Sequence, residues 1–197
     1  GLSAKVFRTY NASITLQREL AKMHELDGAA DMTVDEKMLF YNRANREVAI
    51  LCNHQRSVPK SHATAMEKLD EQLRELRERR DELRAALKGK RPKWEGEVDD
   101  NLIDKSGKKH QRVPEQPDKI QKQLDTVDAR IKKFKTKKLE KDELKTVSLT
   151  TSKINYMDPR ISVAWAKTWD VPIERIFSKT LRQKFPWAMD VSADYEF

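Results

Sequence analysis

The sequence predicts a mainly α-helical protein in which two globular segments flank an antiparallel helical hairpin. Apolar residues recur at helical spacing along most of the 197 residues, and in the middle of the chain they form heptad seams. Charged residues make up 37% of the sequence and hydrophobic residues 38%, a balance typical of long, solvent-exposed helices joined to a smaller packed body. With only five glycines and seven prolines, the sequence has few residues that favour turns.

Residues 1–57 are predicted to form the first globular segment. The stretch Lys5–Tyr10 is rich in β-branched and aromatic side chains, so we expect a short strand there, or a loop packed on the core. Asn11 or Ser13 is the predicted N-cap of the helix that follows. The apolar face of that helix consists of Leu16, Leu20 and Met23.

A second helix is predicted to begin after Thr33, because Thr33 and Glu36 have the spacing of a capping box. Its buried face consists of Met38, Tyr41, Asn45, Val48, Ala49 and Cys52. The extent of this face predicts that His54 lies at the end of the helix or just past it.

Residues 58–146 are predicted to form the hairpin. Its two seams are Met66, Leu69, Leu73, Leu76, Leu83 and Leu87, and then Ile120, Leu124, Val127, Ile131 and Phe134. Their spacings of three and four residues are typical of coiled coils. Residues 89–117 join the seams and contain several prolines and glycines but few apolar residues, which predicts a mobile loop. Because a hairpin returns the chain to where it left, residues before and after it can share one site.

Residues 147–197 are predicted to form the second globular segment. Asp158 and Pro159 are a favourable N-cap and first-turn pair for a helix. A short helix is predicted after Pro172, and Ser178 is the predicted cap of a last helix. The tryptophans expected to pack in this core are Trp165, Trp169 and Trp187.

The composition of the sequence favours some classes of function and excludes others. The net charge of +8 favours a polyanionic partner such as DNA or RNA. Cys52 is the only cysteine, which excludes an internal disulfide and predicts a reducing, intracellular compartment. No apolar run approaches the roughly 18 residues that a membrane span requires. The four histidines lack the spacing of metal ligands, and the sequence has no glycine-rich phosphate loop.

Taken as residues alone, the candidates for catalysis are ordinary. His54 lies at a helix end beside basic residues, where a histidine is more often structural than catalytic. Tyr156 lies just before a predicted helix start, where a tyrosine usually packs or caps. Spacing and composition do not decide whether His54 and Tyr156 are structural or catalytic.

Longer motifs indicate a family. The stretches that carry the resemblance are Ala4–Ser13, Tyr41–Arg46, Val48–Arg56, Ser152–Arg160, Val163–Trp165 and Asp194–Phe197. All of them closely resemble the eukaryotic type IB DNA topoisomerases, and they occur in that family's order. They cover both globular segments, whereas the charged middle resembles the family's coiled-coil linker only in its character.

The resemblance implies the helical catalytic subdomain of the topoisomerase IB and tyrosine recombinase type, with a protruding antiparallel coiled-coil hairpin. Residues 1–57, 58–146 and 147–197 then correspond to the end of the catalytic core, the linker and the C-terminal domain with the nucleophilic tyrosine.

The catalytic residues that the resemblance implies are Arg8, His54 and Tyr156. Arg8 corresponds to a catalytic arginine, His54 to the catalytic histidine and Tyr156 to the nucleophile. The implied activity is the relaxation of supercoiled DNA in the nucleus through a 3′-phosphotyrosyl intermediate, without ATP or a required metal. The family also uses a second arginine and a lysine from an upstream core segment, so this chain is expected to be inactive alone.

Further residues are candidates for contact with DNA. The resemblance implies that Thr151, Lys153 and Asn155 contact DNA or an intercalating poison of the camptothecin type. The lysines Lys132, Lys133, Lys135, Lys137 and Lys138 either face the DNA or form a solvated helix face.

Two other functions are compatible with the sequence. A tyrosine recombinase would use a related constellation of residues, although the long charged hairpin between His54 and Tyr156 disfavours it. A non-catalytic, DNA-binding coiled-coil scaffold would need Tyr156 only for packing.

Overall fold

The computed structural model of the protein describes residues 3–89, 113–114, 116–149 and 157–197. The α-helices of this part are α1 (Ala4–Ala21), α2 (Val34–Leu51), α3 (His62–Leu87), α4 (Pro117–Glu143), α5 (Pro159–Thr168), α6 (Lys179–Lys184) and α7 (Pro186–Met189). Short 3₁₀ turns lie at Lys22–Glu25, Ala29–Asp31 and Ile173–Arg175. The described residues form no strand, only an isolated antiparallel bridge between Gln55 and Val147. The prediction of a mainly α-helical protein is therefore confirmed.

The chain divides into two compact units. The first comprises Gly1–His62 and Leu139–Phe197, and the second comprises Ala63–Lys138. The first unit contains helices from both ends of the sequence and both described residues of the predicted catalytic set, Arg8 and His54.

Helix α1 corrects the prediction for the first residues. Lys5–Tyr10 is helical and continuous with the rest of α1, so the predicted strand or packed loop is wrong. The helix begins after Ser3, whose side chain makes no capping hydrogen bond, and Asn11 and Ser13 lie inside it. Intrinsic β-preference is a weak signal, and here the buried face of the same helix outweighs it. That face consists of Ala12, Ser13, Leu16 and Leu20.

Helix α2 begins as its capping box predicts. The Thr33 hydroxyl accepts from the Glu36 backbone amide at 3.4 Å, and the Thr33 amide donates to the Glu36 carboxylate at 2.9 Å. The helix packs with α1 and α5 around one core, which is the main core of the first unit. The principal residues of this core are Leu16, Leu20, Met23, Met38, Tyr41, Val48, Met157, Ile161 and Trp165. Three elements that are distant in sequence therefore share one interior.

The second unit contains α3 from Ala63 onward and α4 as far as Lys138, and these two helices run antiparallel. Lys138 pairs with Asp70, and the Arg84 guanidinium lies 3.6 Å from the Asp128 carboxylate. Their shared core consists of Leu73, Leu83, Ile120, Leu124, Val127 and Ile131. The two predicted seams thus meet, although a supercoiled geometry remains a prediction. Most of the predicted loop 89–117 lies outside the described residues.

The C-terminal helices pack around α5, which is buried along most of its length. A smaller core joins Val163 of α5 to Phe177 and Ala188. Ser178 caps α6 as predicted, since its hydroxyl accepts from the Leu181 amide. The prediction for Trp187 is wrong, because its side chain is 56% exposed. In the described ranges, no helix is both long enough and apolar enough to cross a membrane.

Candidate functional site

Helix α1 carries the first candidate residue at its exposed end. Arg8 lies in the first half of α1, where the side chains face solvent. One face of the second half of the same helix is buried, and Ser13 on that face has no exposed surface. The core therefore fixes the helix, and Arg8 extends from a rigid element. An arginine held in this way suits recognition of a phosphate, because its guanidinium donates in a fixed fork.

His54 follows a chain reversal at the end of α2. Asn53 has a φ of 55°, the left-handed conformation that asparagine tolerates better than most residues. The Asn53 amide donates to the Ile50 carbonyl at 3.0 Å, and the His54 amide donates to the Ala49 carbonyl at 2.7 Å. These two bonds form a Schellman motif, which stops the helix and fixes His54 directly after it. The prediction that His54 lies just past the helix end is confirmed.

A short backbone pairing joins His54 to the chain that leads toward Tyr156. The Ser148 amide donates to the His54 carbonyl at 3.1 Å, and the Arg56 amide donates to the Thr146 carbonyl at 2.9 Å. Between these bonds lies the bridge of Gln55 with Val147, whose side chain is buried. Backbone pairing of this kind holds Thr146–Ser148 beside His54.

Two polar contacts hold the end of α4 against α2. The Arg43 guanidinium forms a bidentate pair with the Glu143 carboxylate, both bonds being 2.6 Å long. The Asn42 side-chain amide donates to the Glu140 carboxylate at 2.6 Å. The hydrogen bonds from Arg43 hold the pKa of the Glu143 carboxyl below its ordinary value, even though burial opposes the shift. The end of α4 is therefore anchored before the chain reaches the His54 pairing.

The chain that follows the segment 150–156 is held to α1. Met157 is buried in the main core. The Asp158 backbone amide donates to the buried Ser13 hydroxyl of α1 at 3.1 Å. The Asp158 carboxylate then caps α5 by accepting from the Arg160 amide at 2.9 Å, which confirms the predicted cap.

The site residues that lie between these anchors are outside the described residues. They are Thr151, Lys153, Asn155 and Tyr156. The structure brings the two flanks of the 150–156 segment together with the helix that carries Arg8 and the turn that carries His54. A cavity of about 170 Å³ lies between the flanks, and Leu149 and Met157 line it together with Tyr41 and Ser162.

Sequence reasoning missed a charged and aromatic cluster around Asp158. The Arg160 guanidinium bonds both Asp158 carboxylate oxygens, with its shortest contact at 2.7 Å. It also stacks over the Tyr195 ring, 4.5 Å from the centroid, and lies 5.7 Å from the Trp187 ring. Burial alone would raise the pKa of the Asp158 carboxyl, but the hydrogen bonds from Arg160 outweigh it and the pKa is lowered.

A buried hydroxyl pair links α2 to α5. The Tyr41 and Ser162 hydroxyls lie 2.7 Å apart, and Tyr41 is only 5% exposed. Burial raises the pKa of the Tyr41 phenol. Tyr41 therefore stays protonated in the core and out of reach of a DNA backbone.

No cluster of metal-ligating side chains occurs among the residues that the structure describes. Carboxylates are present near the flanks, but Asp158 and Glu143 are each engaged by an arginine.

Comparison with known proteins gives matches to two families. Residues 1–87 match the family described as eukaryotic DNA topoisomerase I, catalytic core, and residues 128–197 match the C-terminal topoisomerase domain. The whole chain is 47% identical to DNA topoisomerase 1 beta of Arabidopsis thaliana, 48% to DNA topoisomerase 1 of Drosophila melanogaster and 42% to DNA topoisomerase 1 of Homo sapiens. It covers 20%, 17% and 24% of those proteins, respectively, so it spans about a fifth of their length.

Proposed function

Because the chain belongs to the eukaryotic DNA topoisomerase I family, we propose that it supplies the tyrosine-bearing part of a type IB DNA topoisomerase. In this proposal it relaxes supercoiled duplex DNA by cutting one strand, allowing rotation and rejoining the same strand. It contains the end of the catalytic core, the linker and the C-terminal domain.

One observation supports this proposal most directly. The described residues on either side of the segment 150–156 are anchored: Ser148, before it, bonds the turn that carries His54, and Asp158, after it, bonds the helix that carries Arg8. About a hundred residues separate His54 from Tyr156 in the sequence, yet the flanks of the tyrosine segment meet the two elements that carry the other candidate residues. This arrangement fits three residues that act on one phosphate.

The residue types fit attack on a phosphodiester. A phenol with a pKa near 10 is a weak nucleophile at neutral pH, and the phosphodiester already carries negative charge. In the proposed mechanism the Tyr156 oxygen attacks the phosphorus and its phenolic proton passes to solvent. The bond from phosphorus to the 5′ oxygen breaks, and that oxygen leaves as a 5′-hydroxyl after it gains a proton. Arg8 and His54 donate hydrogen bonds to the non-bridging oxygens as charge builds there. Loss of one such donor costs a factor of about a hundred to a thousand in rate.

The proposal assigns the remaining groups to an upstream core segment. That segment supplies a second arginine for the phosphate and a lysine that protonates the leaving 5′ oxygen. Because one phosphodiester replaces another, religation needs no ATP, and the mechanism needs no metal. The enzyme would act in the nucleus, and this chain alone would not cleave DNA.

The residues around the nucleophile have a second proposed task. Thr151, Lys153 and Asn155 contact the cleaved base step, which is also where an intercalating poison of the camptothecin type would bind. Their proximity in sequence to Tyr156 supports this assignment.

The deciding experiment uses the complete enzyme, in which this chain is joined to its upstream core, and a DNA substrate that traps the cleaved strand. Tyr156→Phe should abolish the covalent protein–DNA adduct, whereas Tyr10→Phe, at an exposed position of α1, should retain it. An adduct that survives Tyr156→Phe would overturn the proposal and favour a scaffold. Exchange of strands between two duplexes, in place of relaxation of one, would instead identify a recombinase.

A further inference from the structure

The segment 191–197 lies across α1 and α5 of the first unit. Lys167 of α5 donates to the Val191 carbonyl at 2.6 Å, and Thr168 of α5 donates to the Ala193 carbonyl at 2.9 Å. At the other end, the Phe197 amide donates to the Gln17 side chain of α1. These contacts fix the segment at both ends, so the side chain between them has a defined position.

That side chain is Tyr195, which packs against the main core and reaches the N-terminus of α5. Its ring lies 4.5 Å from the Arg160 guanidinium, and its hydroxyl donates to the Asp158 carboxylate at 3.4 Å. Asp158 and Tyr195 are 37 residues apart in the sequence, so the contact depends on the tertiary fold. Trp187, at 5.7 Å, provides a second aromatic surface for the same guanidinium.

The stacked guanidinium restrains Asp158. Arg160 is 39% exposed at its side chain, so without the aromatic rings it would sample several rotamers. Held against Tyr195, it keeps its fork aligned with both Asp158 oxygens. The same carboxylate caps α5, and the Asp158 amide bonds Ser13 of α1. Tyr195 thus acts on the backbone position two residues after Tyr156.

We propose that Tyr195 is a positioning residue, which acts through Arg160 and Asp158 to fix the backbone next to the nucleophile. The inference rests on the proposed function, since it needs Tyr156 to attack a phosphate. In this role Tyr195 acts through Arg160 and Asp158 and needs no contact of its own with the substrate or the reacting atoms. Its effect is to limit the directions from which the Tyr156 oxygen approaches the phosphorus.

This role predicts a specific kinetic signature. In-line attack depends strongly on alignment, and a displacement of about 1 Å can cost about a hundredfold in rate. Misalignment raises the barrier for cleavage and for religation by the same amount, because both pass through one transition state. A variant that disturbs only positioning should therefore slow both steps equally and leave the ratio of cleaved to uncleaved DNA unchanged.

The experiment measures single-turnover cleavage and religation with the complete enzyme and saturating duplex DNA. Tyr195→Ala removes the ring and the hydroxyl, and Tyr195→Leu removes the ring face but keeps much of the apolar volume. Both should lower the two rate constants by about 10- to 100-fold. Tyr195→Phe keeps the stacking surface and should stay within about threefold of the unsubstituted enzyme. Glu196→Gln, at the next, exposed position, is the matched control and should change neither constant.

Reaction amplitude separates positioning from folding. A variant that merely folds poorly lowers the fraction of enzyme that reacts but leaves the rate constant of that fraction unchanged. Lower rate constants with full amplitude, restored by Tyr195→Phe, support the inference. Unchanged rate constants in Tyr195→Ala and Tyr195→Leu, or a loss of amplitude alone, would overturn the inference about Tyr195. The proposed function would still stand as long as the unsubstituted enzyme forms the covalent adduct. If the unsubstituted enzyme forms no adduct, the proposed function itself fails.

Discussion

At the scale of single residues, burial limits the roles that Tyr41 and Tyr195 can have. Tyr41 is a core residue whose hydroxyl is shared with Ser162, and its raised pKa reflects burial. Burial also raises the pKa of the Tyr195 phenol, and the nearby Asp158 charge adds to that effect. Neither phenol is suited to lose a proton at neutral pH. Tyr41 instead joins α2 to α5, and Tyr195 joins the segment 191–197 to the start of α5.

The Tyr41–Ser162 pair predicts a measurable coupling. Tyr41→Phe or Ser162→Ala leaves one buried hydroxyl without the other, and each change should lower the free energy of unfolding by about 1–3 kcal/mol. The double variant should cost less than the sum of the two, because it removes both hydroxyls together. Urea unfolding of the four proteins of the cycle measures this difference. Strictly additive effects would show that the 2.7 Å contact contributes no coupling.

Part of the site could be predicted from local sequence, and part depends on contacts that local sequence does not record. The capping preference of Asp158 and the position of His54 after α2 follow from nearby residues, and both predictions are confirmed. The Ser13–Asp158 bond joins residues 145 positions apart, which no local spacing can indicate. The stacking of Arg160 on Tyr195 was missed for the same reason.

At the scale of elements, the helices with clear boundary signals were predicted well. The capping box of α2, the Asp158–Pro159 start of α5 and the Ser178 cap of α6 all occur in the structure. Helix α1 was misjudged because its first turns carry β-branched and aromatic residues and lack a side-chain cap. Its helical state depends on packing of its second half with α2 and α5, which propensity does not report.

At the scale of elements, the ion pair between Arg43 and Glu143 stabilises the C-terminal end of α4. Arg43 lowers the pKa of Glu143, so the folded protein holds this carboxylate more tightly in its charged form than the unfolded chain does. Such a carboxyl group adds to the free energy of unfolding at pH values above the pKa that it has in the unfolded chain. That contribution disappears as the pH falls through the lower pKa that it has in the folded protein. The Arg43 side chain is 43% exposed, so solvent limits the contribution to about 0.5–1 kcal/mol.

The pH dependence of this pair is testable in the isolated chain. Glu143→Gln should lower the free energy of unfolding by a constant amount above about pH 5, and the difference from the unsubstituted chain should shrink as the pH falls below about 4. Urea unfolding between about pH 3 and pH 6 measures the profile. Arg43→Gln should give the same profile, because loss of either partner breaks the pair. A difference that does not change with pH would contradict the electrostatic explanation.

At the scale of the whole molecule, the net charge of +8 fits a duplex DNA substrate. Part of the excess positive charge lies on α4, whose second half carries Lys132, Lys133, Lys135, Lys137 and Lys138. Lys138 pairs with Asp70 of α3, and the Lys137 ammonium lies 5.9 Å from the Phe134 ring. The α4 lysines thus differ in their surroundings, and a solvated helix face remains the alternative to a DNA contact.

Salt dependence distinguishes these two roles of the α4 lysines. If Lys132, Lys133 and Lys135 meet phosphates, their replacement by glutamine should flatten the slope of log affinity against log salt by about 0.9 for each phosphate that is no longer neutralised. The measurement is duplex binding by the complete Tyr156→Phe enzyme between about 50 and 200 mM salt, which keeps binding separate from cleavage. The matched control replaces the same lysines by arginine, which retains the charge and should retain the slope. Equal slopes in the glutamine and arginine variants would assign these lysines to solvation of α4, because counterions are released only where a cation meets a phosphate.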